Sequence, residues 1–282
     1  MLCCFDRQAA QRAVPKAIVP SRMTSHIAPV MEVFASIQGE GAYVGEPQVF
    51  LRMYGCPLRC RWCDTPKSWL VAPEATARID AKDGTRRAPA GASAFEAAIW
   101  VAQCERGAPR TVSVTGGEPL MWPDFLLALK SLLGRRRLHL ETAGAHPQAL
   151  ARVVDVCDHV SLDLKPDFDM EEPVPLWPND GTPRTREEWS AARRGCLSLV
   201  ADRDACAKLV VAGDRTPEDY AYLFDEVEHC APRLPVYLTP ASPVGGTPAP
   251  TRALVDEVAE MARDRDLVVR VVPQVHRLMR WP

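Results

Sequence analysis

Apolar runs alternate with helix-like segments along most of this chain, and this alternation limits its fold more than any other feature. Runs typical of buried strands occur near residues 49–54, 110–115, 137–142, 159–164, 206–212, 235–239 and 267–272. Segments with helical spacing lie between them, in a run capped by Ser93 and near 122–133, 147–155, 216–229 and 250–264. Such alternation is typical of βαβ units with a parallel sheet. The sequence therefore predicts an α/β protein, and periodicity leaves open whether the sheet is a partial barrel or flat and doubly wound.

Three stretches fall outside this alternation. Residues 1–30 have no clear period and contain several prolines, so we expect a mobile N-terminal extension before a core domain of residues 31–282. Residues 66–92 are rich in Ala, Pro, Arg and Asp, and we expect an irregular or short-stranded insertion there. Residues 167–190 contain four prolines and suggest a long loop or lid, since loops of this length in a compact domain tend to be functional or disordered.

Composition excludes several classes of protein. The chain has 282 residues and a net charge of −2, which gives no overall nucleic-acid-binding signature. No apolar run approaches the ~20 residues that span a bilayer, and the N-terminus lacks the order of a signal peptide. The spacing of the 10 cysteines suits metal binding in a reducing cell better than disulfides. We expect a soluble, cytoplasmic protein with neither nucleic acid nor membrane as a partner.

Three cysteines, Cys56, Cys60 and Cys63, follow the first strand-like run at the spacing C-x3-C-x2-C. Thiolates are soft ligands, and cysteines this close together on a loop can turn toward one metal centre. A structural zinc site requires four ligands, whereas a [4Fe–4S] cluster held by three cysteines leaves one iron open. Half of a zinc site or a set of redox-active thiols is the alternative, although no second C-x2-C occurs downstream.

A second motif, Thr115-Gly116-Gly117-Glu118-Pro119, follows the cysteines in the order seen in one superfamily. Together the two motifs resemble the radical S-adenosylmethionine (SAM) enzymes. The resemblance implies a partial (β/α)6 barrel with parallel strands, a [4Fe–4S] cluster on Cys56, Cys60 and Cys63, and SAM bound at the open iron. In such proteins the cofactors carry out the difficult chemical step, and the chain binds, orients and excludes water.

The segment before the cysteines narrows the resemblance. Residues 34–41 read Phe-Ala-Ser-Ile-Gln-Gly-Glu-Gly, residues 50–56 read Phe-Leu-Arg-Met-Tyr-Gly-Cys, and Asp64-Thr65 follows the last cysteine. The chain ends in a Gln-Val-His run and a terminal proline. This order resembles the 7-carboxy-7-deazaguanine synthase family over roughly residues 31–282. The resemblance implies ring contraction of 6-carboxy-5,6,7,8-tetrahydropterin to 7-carboxy-7-deazaguanine with loss of ammonia.

The resemblance also implies site residues. Substrate contacts are expected from Ile37, Gln38, Gly39, Glu40, Arg52, Thr115 and Pro282, and Mg²⁺ from the Thr65 hydroxyl. SAM contacts are expected from Trp62, Cys63, Asp64, Gly117, Glu118, Ser161, Asp163, Lys165, Thr239, Pro240, Ala241 and Ser242. Glu118 is expected to accept the SAM ammonium, and alternation puts Ser161, Asp163 and Lys165 on one face of a strand.

Each of these assignments has a simpler alternative. The amide of Gln38 and the carboxylate of Glu40 suit the edge of a pterin, but the same residues suit an ordinary polar turn. Arg52 stands in an apolar run, where a guanidinium is costly unless paired; it would fit a substrate carboxylate or an internal ion pair. Asp64-Thr65 is equally typical of a helix or turn cap.

Two other functions remain open. A glycyl-radical activating enzyme shares the cysteine spacing and would act on a protein backbone, so losing the terminal proline should not affect it. A non-catalytic metal-binding module would hold zinc or would fail to bind SAM. For the synthase we expect a flavodoxin- or ferredoxin-like electron donor as a partner, and a homodimer is possible.

Overall fold

The computed structural model describes residues 26–108, 110–243 and 246–281. Its strands are β1 Ile27–Ile37, β2 Pro47–Met53, β3 Arg59–Cys60, β4 Thr76–Ala81, β5 Gly84–Pro89, β6 Gly91–Ser93, β7 Thr111–Gly116, β8 Leu138–Thr142, β9 His159–Asp163, β10 Met170–Glu171, β11 Ala205–Val211, β12 Val236–Pro240 and β13 Val269–Val271. Its helices are α1 Ala94–Cys104, α2 Pro123–Leu132, α3 Pro147–Val153, α4 Arg186–Val200, α5 Ala221–Cys230, α6 Arg252–Arg263 and α7 Val275–Met279. Within these ranges, no helix is long and apolar enough to cross a membrane.

Seven strands pair in parallel and in chain order, as β2, β7, β8, β9, β11, β12 and β13. They correspond to the seven apolar runs of the sequence, and helices lie between most of them. Helices α1 to α6 bury their apolar faces against one side of the sheet in a single large core, whereas α7 has no buried residue. The predicted α/β architecture with a parallel sheet is therefore confirmed.

The sheet is curled into an open barrel. Strands β1 and β11 are five steps apart in the order β11-β9-β8-β7-β2-β1, which in a flat sheet would separate them by about 24 Å. Yet the Lys208 ammonium on β11 lies 3.1 Å from the carboxylate of Glu40, just after β1. The terminal strands of the order, β13 and β5, do not pair with each other. The partial barrel implied by the resemblance is the observed fold.

The first strand begins earlier than the sequence indicated. Strand β1 starts at Ile27, before the expected boundary at residue 31, and Ala28 and Val30 are fully buried. Pro29 obscured this strand, but its carbonyl still accepts a hydrogen bond from the Tyr54 amide at 2.8 Å. Residues 1–25, the greater part of the expected extension, lie outside the described residues. Residues 66–92 contain strands β4 and β5, which extend the sheet beyond β1.

The stretch at residues 167–190 is not a loop throughout. It contains a 3₁₀ turn at Asp167–Asp169 and strand β10, which pairs with β3 in the cysteine loop. Helix α4 begins inside the stretch, where Thr185 and Glu188 form a capping box with reciprocal side-chain to backbone hydrogen bonds. The sequence carried this Thr-x-x-Glu signal, but the surrounding prolines outweighed it in the prediction.

Candidate functional site

A pocket lies at the carboxyl ends of the parallel strands, where ligands of such sheets bind. It gathers most of the residues that the sequence singled out, from nearly every strand end. Those lining it are Ile37, Gln38, Gly39, Glu40, Arg52, Cys56, Cys60, Trp62, Cys63, Asp64, Thr65, Thr115, Gly117, Asp163, Lys165, Thr239, Pro240, Ala241 and Ser242. Segments far apart in the chain therefore meet in one pocket.

Two expected site residues, Glu118 and Ser161, are not in the pocket lining. Glu118 is fully buried, and its carboxylate accepts hydrogen bonds from the Thr142 hydroxyl and the Leu120 and Ala143 amides at 2.8–3.0 Å. It holds the loop after β8 in place, and all three contacts are internal. Ser161 lies deeper in the barrel, and Pro282 falls outside the described residues.

The cysteine loop leaves strand β2 and packs against the Gly116-Gly117 turn. The Gly117 amide donates to the Met53 carbonyl at 2.8 Å, and the Glu118 amide donates to the Gly55 carbonyl at 2.9 Å. A Cβ on Gly117 would lie 2.3 Å from the Gly55 carbonyl oxygen. Glycine is therefore required at position 117 because two backbone segments touch there.

The three cysteines of this loop are free thiols in a largely apolar setting. Cys56 and Cys60 are buried, and Cys63 is partly buried. Burial raises the pKa of all three, to about 12 for Cys60. Without a bound metal the thiols therefore remain protonated at neutral pH, and a cation is needed to stabilise them as thiolates.

Arg52 forms the internal ion pair that was one of its two interpretations, and its contact with a substrate carboxylate stays a prediction. Its Nε donates to the Glu32 carboxylate at 2.8 Å, which is the internal ion pair. Its Nη1 also reaches the Thr65 hydroxyl, 3.5 Å away, and Arg52 lines the pocket. Asp64 accepts from the Thr65 hydroxyl at 2.8 Å. Burial raises the pKa of Asp64, but Thr65, Arg52 and Arg277 outweigh it and lower the pKa below its usual value.

Lys208 is the centre of a charged network on the side of the pocket opposite the cysteines. Its side chain is 9% exposed, and its ammonium lies 3.1 Å from Glu40, 3.2 Å from Asp163 and 3.6 Å from Glu141. Burial lowers the pKa of Lys208, but these three carboxylates outweigh burial and hold the pKa well above its ordinary value. Lys208 is therefore a permanent cation among three anions.

The same network fixes the segment around Gln38 and Glu40. The Gln38 amide donates to Glu141 at 3.0 Å, and its carbonyl oxygen accepts from the Glu40 amide at 3.1 Å. The Gln274 amide donates to Glu40 at 2.6 Å. Burial raises the pKa of Glu141, but Lys208 and its other partners outweigh this and hold the pKa at about 2. The polar groups of this side are thus already paired with one another.

Gly39 is the point where the C-terminal helix α7 meets this segment. The Val275 amide donates to the Gly39 carbonyl at 3.0 Å, and a Cβ on Gly39 would lie 1.8 Å from Nδ1 of His276. His276 and Arg277 also line the pocket. Gly39 therefore makes room for another part of the chain, a role that the sequence alone did not identify.

Three neutral polar side chains, those of His139, His159 and Ser161, lie beneath the pocket and are called the polar floor. His139 is 1% exposed, and its Nε2 lies 2.8 Å from the Ser161 hydroxyl. Burial lowers the pKa of His139 to about 3 and lowers the pKa of His159. Ser161 is thus on the same inner face as Asp163 and Lys165, as alternation predicted, but it contacts the floor.

Comparison with known proteins identifies the family. The family model of the Radical SAM superfamily matches residues 50–169. The 7-carboxy-7-deazaguanine synthase of Geobacter sulfurreducens is 32% identical over 257 residues, 88% of this chain and 95% of that protein. The chain belongs to the 7-carboxy-7-deazaguanine synthase family. The synthase of Methanopyrus kandleri is 31% identical over 89% of this chain and 92% of its own length.

Solved structures show the same fold as this member of the synthase family. The crystal structure of QueE from Escherichia coli has a TM-score of 0.54 and 20% identity, covering 87% of this chain and 93% of that one. A radical SAM methyltransferase from Sphaerobacter thermophilus also has a TM-score of 0.54, with 15% identity over 94% of this chain and 85% of that one. These likenesses establish the partial barrel.

The residues of this synthase-family chain fit the [4Fe–4S] cluster and SAM of its superfamily. Among the described residues, no three or more His, Cys, Asp or Glu side chains converge as around a single metal ion. A cluster does not require this convergence, because each thiolate binds a different iron. Arg59, between the cysteines, is 9% exposed and donates to the Cys56 and Leu58 carbonyls at 2.8 and 2.7 Å. Its buried positive charge suits an anionic cluster.

Sequence reasoning missed two charged residues that lie on strands of the site. Lys208 stands in the apolar run 206–212, where the argument applied to Arg52 would have identified it, because a buried charge there requires partners. Glu141 is likewise a charged residue in the apolar strand β8. Both were recognisable as charges in buried strands, but their common partners depend on the curl of the sheet.

Proposed function

We propose that this protein is a 7-carboxy-7-deazaguanine synthase, which converts 6-carboxy-5,6,7,8-tetrahydropterin to 7-carboxy-7-deazaguanine with loss of ammonia in deazapurine biosynthesis. One observation carries the proposal: the C-x3-C-x2-C cysteines and the family's Gln38, Glu40 and Arg52 line a single pocket. Membership of the family indicates the reaction, and this pocket is a place where SAM and the pterin can bind next to each other.

In this proposal Cys56, Cys60 and Cys63 hold the cluster, and SAM lies between them and the strand ends. When bound, the cluster and SAM would supply the chemistry of hydrogen-atom abstraction from the substrate. Gly117, Thr239, Pro240, Ala241 and Ser242 offer backbone groups to SAM at the edge of the pocket. Lys165, whose ammonium lies 4.5 Å from the ring centroid of Trp62, pairs with Asp163 at 2.7 Å. These residues orient SAM and exclude water.

The substrate occupies the other end of the pocket. Gln38 and Glu40 receive the polar edge of the pterin, with Ile37, Gly39, Thr115 and the terminal Pro282 around it. Arg52 would bind the substrate carboxylate, and the hydroxyl of Thr65 beside it would hold Mg²⁺. A hard cation held by few protein groups and several waters is the usual state of Mg²⁺. The Thr65 hydroxyl, next to the Asp64 carboxylate and within 3.5 Å of Arg52, is well situated for this purpose.

The finer biological setting is also part of the proposal. The cluster requires an external reductant, for which a flavodoxin- or ferredoxin-like protein is suited, and the enzyme works in the cytoplasm, as a monomer or homodimer. The eight cysteines that the structure describes are all free thiols, which supports a reducing compartment.

An anaerobic assay tests this function. The protein, purified without oxygen and reconstituted with iron and sulfide, is incubated with SAM, reductant, Mg²⁺ and 6-carboxytetrahydropterin, and mass spectrometry follows the loss of ammonia. We expect the deazaguanine product, with less product when Mg²⁺ is omitted. Formation of 5′-deoxyadenosine with an unchanged pterin would instead favour a glycyl-radical activating enzyme. Absence of both products from cluster-loaded protein would contradict either function.

A further inference from the structure

The segment after strand β9 is built onto the cysteine loop. Strand β10 pairs with β3, so that Met170 is opposite Cys60 and Glu171 is opposite Arg59. The Arg61 amide donates to the Asp169 carbonyl at 3.1 Å. The proposed mechanism gives this segment no role, and its residues lie outside the pocket lining. Its contacts with the cysteine loop therefore require another explanation.

The side chain of Asp169 is the centre of this contact. Its carboxylate is 0% exposed and accepts from Arg61 Nε at 2.7 Å and from the Trp62 indole at 3.2 Å. Arg61 and Trp62 are the two residues between Cys60 and Cys63. Asp169 thus binds both side chains of the C-x2-C turn, and a buried carboxylate of this kind is stable only when its hydrogen-bond partners are in place.

Two arginines connect Asp169 to a third part of the chain. Arg215, after strand β11, donates its Nε to Asp169 at 3.1 Å, and its guanidinium lies 4.4 Å from the centroid of the Phe168 ring. Arg61 also pairs with Asp214 through two hydrogen bonds of 2.7 and 2.6 Å. The C-x2-C turn is thereby joined to the segments that follow strands β9 and β11 by charge-assisted hydrogen bonds.

We infer that Asp169 is a positioning residue that holds the C-x2-C turn in the conformation required to retain its cluster. The turn has little regular structure of its own, since β3 has only two residues. Without Asp169, Arg61 and Trp62 lose their common partner, and Cys60 and Cys63 lose the fixed separation that cluster binding requires. Residues that orient metal ligands in this way commonly affect metal affinity about 10–100-fold. This inference rests on the proposed function, and it assigns to Asp169 a role in retaining the cluster.

Asp169→Asn and Asp214→Asn form a matched pair for the test. Both change one carboxylate that pairs with Arg61, but Asp214 is 42% exposed and contacts neither Trp62 nor Arg215 in the hydrogen bonds described. Each variant is reconstituted without oxygen to the same iron content as the native protein. Release of iron to a chelator is then followed by absorbance, with circular dichroism and the thermal midpoint of the iron-free protein measured in parallel. We expect about tenfold faster release from Asp169→Asn, with little change for Asp214→Asn.

A second variant covers the case in which Asp169→Asn does not fold. Trp62→Phe removes one indole N–H donor and leaves the ion pairs intact, so we expect moderately faster iron release. In both variants the electron paramagnetic resonance spectrum of the reduced cluster, recorded without SAM, should be broader than that of the native protein, because Cys60 and Cys63 are less fixed. A change in fold stability alone would not alter that spectrum. Native release rates and spectra in Asp169→Asn, or in Trp62→Phe if the former is unfolded, would overturn the inference. Failure of the native protein to take up iron would instead contradict the proposed function.

Discussion

The two sides of the pocket differ in how their polar groups are satisfied. On the charged side, formed by Gln38, Glu40, Glu141 and Lys208, each side chain is hydrogen-bonded or paired with another. On the cysteine side, formed by Cys56, Cys60 and Cys63, burial raises the pKa of every thiol. The charged side is complete within the chain, whereas the cysteine side is suited to an external cation.

This difference indicates that the two sides of the pocket have different functions. Side chains that are already paired with one another hold their donors and acceptors in fixed positions. They therefore reorganise little when a substrate binds. The buried thiols must lose their protons when a cluster binds, so cluster binding on this side is coupled to proton release. The two sides should therefore respond to different perturbations: the charged side to a broken ion pair, the cysteine side to the removal of a ligand.

The largest effect on stability is expected from Lys208→Met. The change removes the buried cation that the partly buried carboxylates of Glu40 and Glu141 share, and breaking a buried pair in this way costs about 3–5 kcal/mol. Urea unfolding of the iron-free protein measures the loss. Arg252→Met is the control, because its pair with Asp256 is 91% and 61% exposed, and it should change stability by less than about 0.5 kcal/mol. Equal stability losses in the two variants would mean that the charged side is not a buried network.

Gly39→Ala perturbs the charged side without changing its charge. The new methyl group would overlap the His276 ring and displace helix α7 from the pocket, at a packing cost of about 1–3 kcal/mol. We expect the KM for the pterin to rise about 10–100-fold, while iron content stays native. Gly91→Ala is the control, because its methyl group would have only the Ile27 side chain at 3.9 Å. A native KM in Gly39→Ala would mean that the position of helix α7 does not affect substrate binding.

A smaller effect is expected from the polar floor. Burial lowers the pKa of His139 from 6.5 to about 3, so the folded protein resists a proton that the unfolded chain accepts. The stability contributed by neutral His139 is present above pH 6.5 and is lost as pH falls toward 3. Between pH 7 and pH 5.5 the loss is about 1 kcal/mol.

The measurement is urea unfolding at both pH values for the native protein, His139→Gln and the exposed-site control His229→Gln. The decrease in stability on acidification should be smaller in His139→Gln and unchanged in His229→Gln. An unchanged decrease in His139→Gln would mean that His139 takes up its proton equally in the folded and the unfolded protein.

Sequence reasoning identified what is local and missed what depends on the curl of the sheet. The apolar runs predicted the seven parallel strands, because a buried strand is visible in consecutive residues. The cysteines and Arg52 were recognisable from their spacing and from a charge in an apolar run. The partners of Lys208 come from the ends of three other strands or loops, so they become neighbours only once the barrel has formed.

Glu118 and Gly39 illustrate the same limit. Both occur in motifs that suggest ligand contacts, but Glu118 accepts three internal hydrogen bonds and Gly39 accommodates His276 from the other end of the chain. A motif predicts which residue type occurs at a position, but tertiary packing determines which other residue it contacts.

The most direct test of the account is the iron and acid-labile sulfide content of anaerobically reconstituted protein, compared with Cys56→Ala, Cys60→Ala and Cys63→Ala. We predict about four iron and four sulfide per chain in the native protein, and loss of the cluster in each variant, because one cluster shares all three ligands. Cys104→Ala, which changes a buried cysteine outside the pocket, should keep the native content. Native iron content in any of the three pocket variants, or zinc in place of iron in the native protein, would contradict the account.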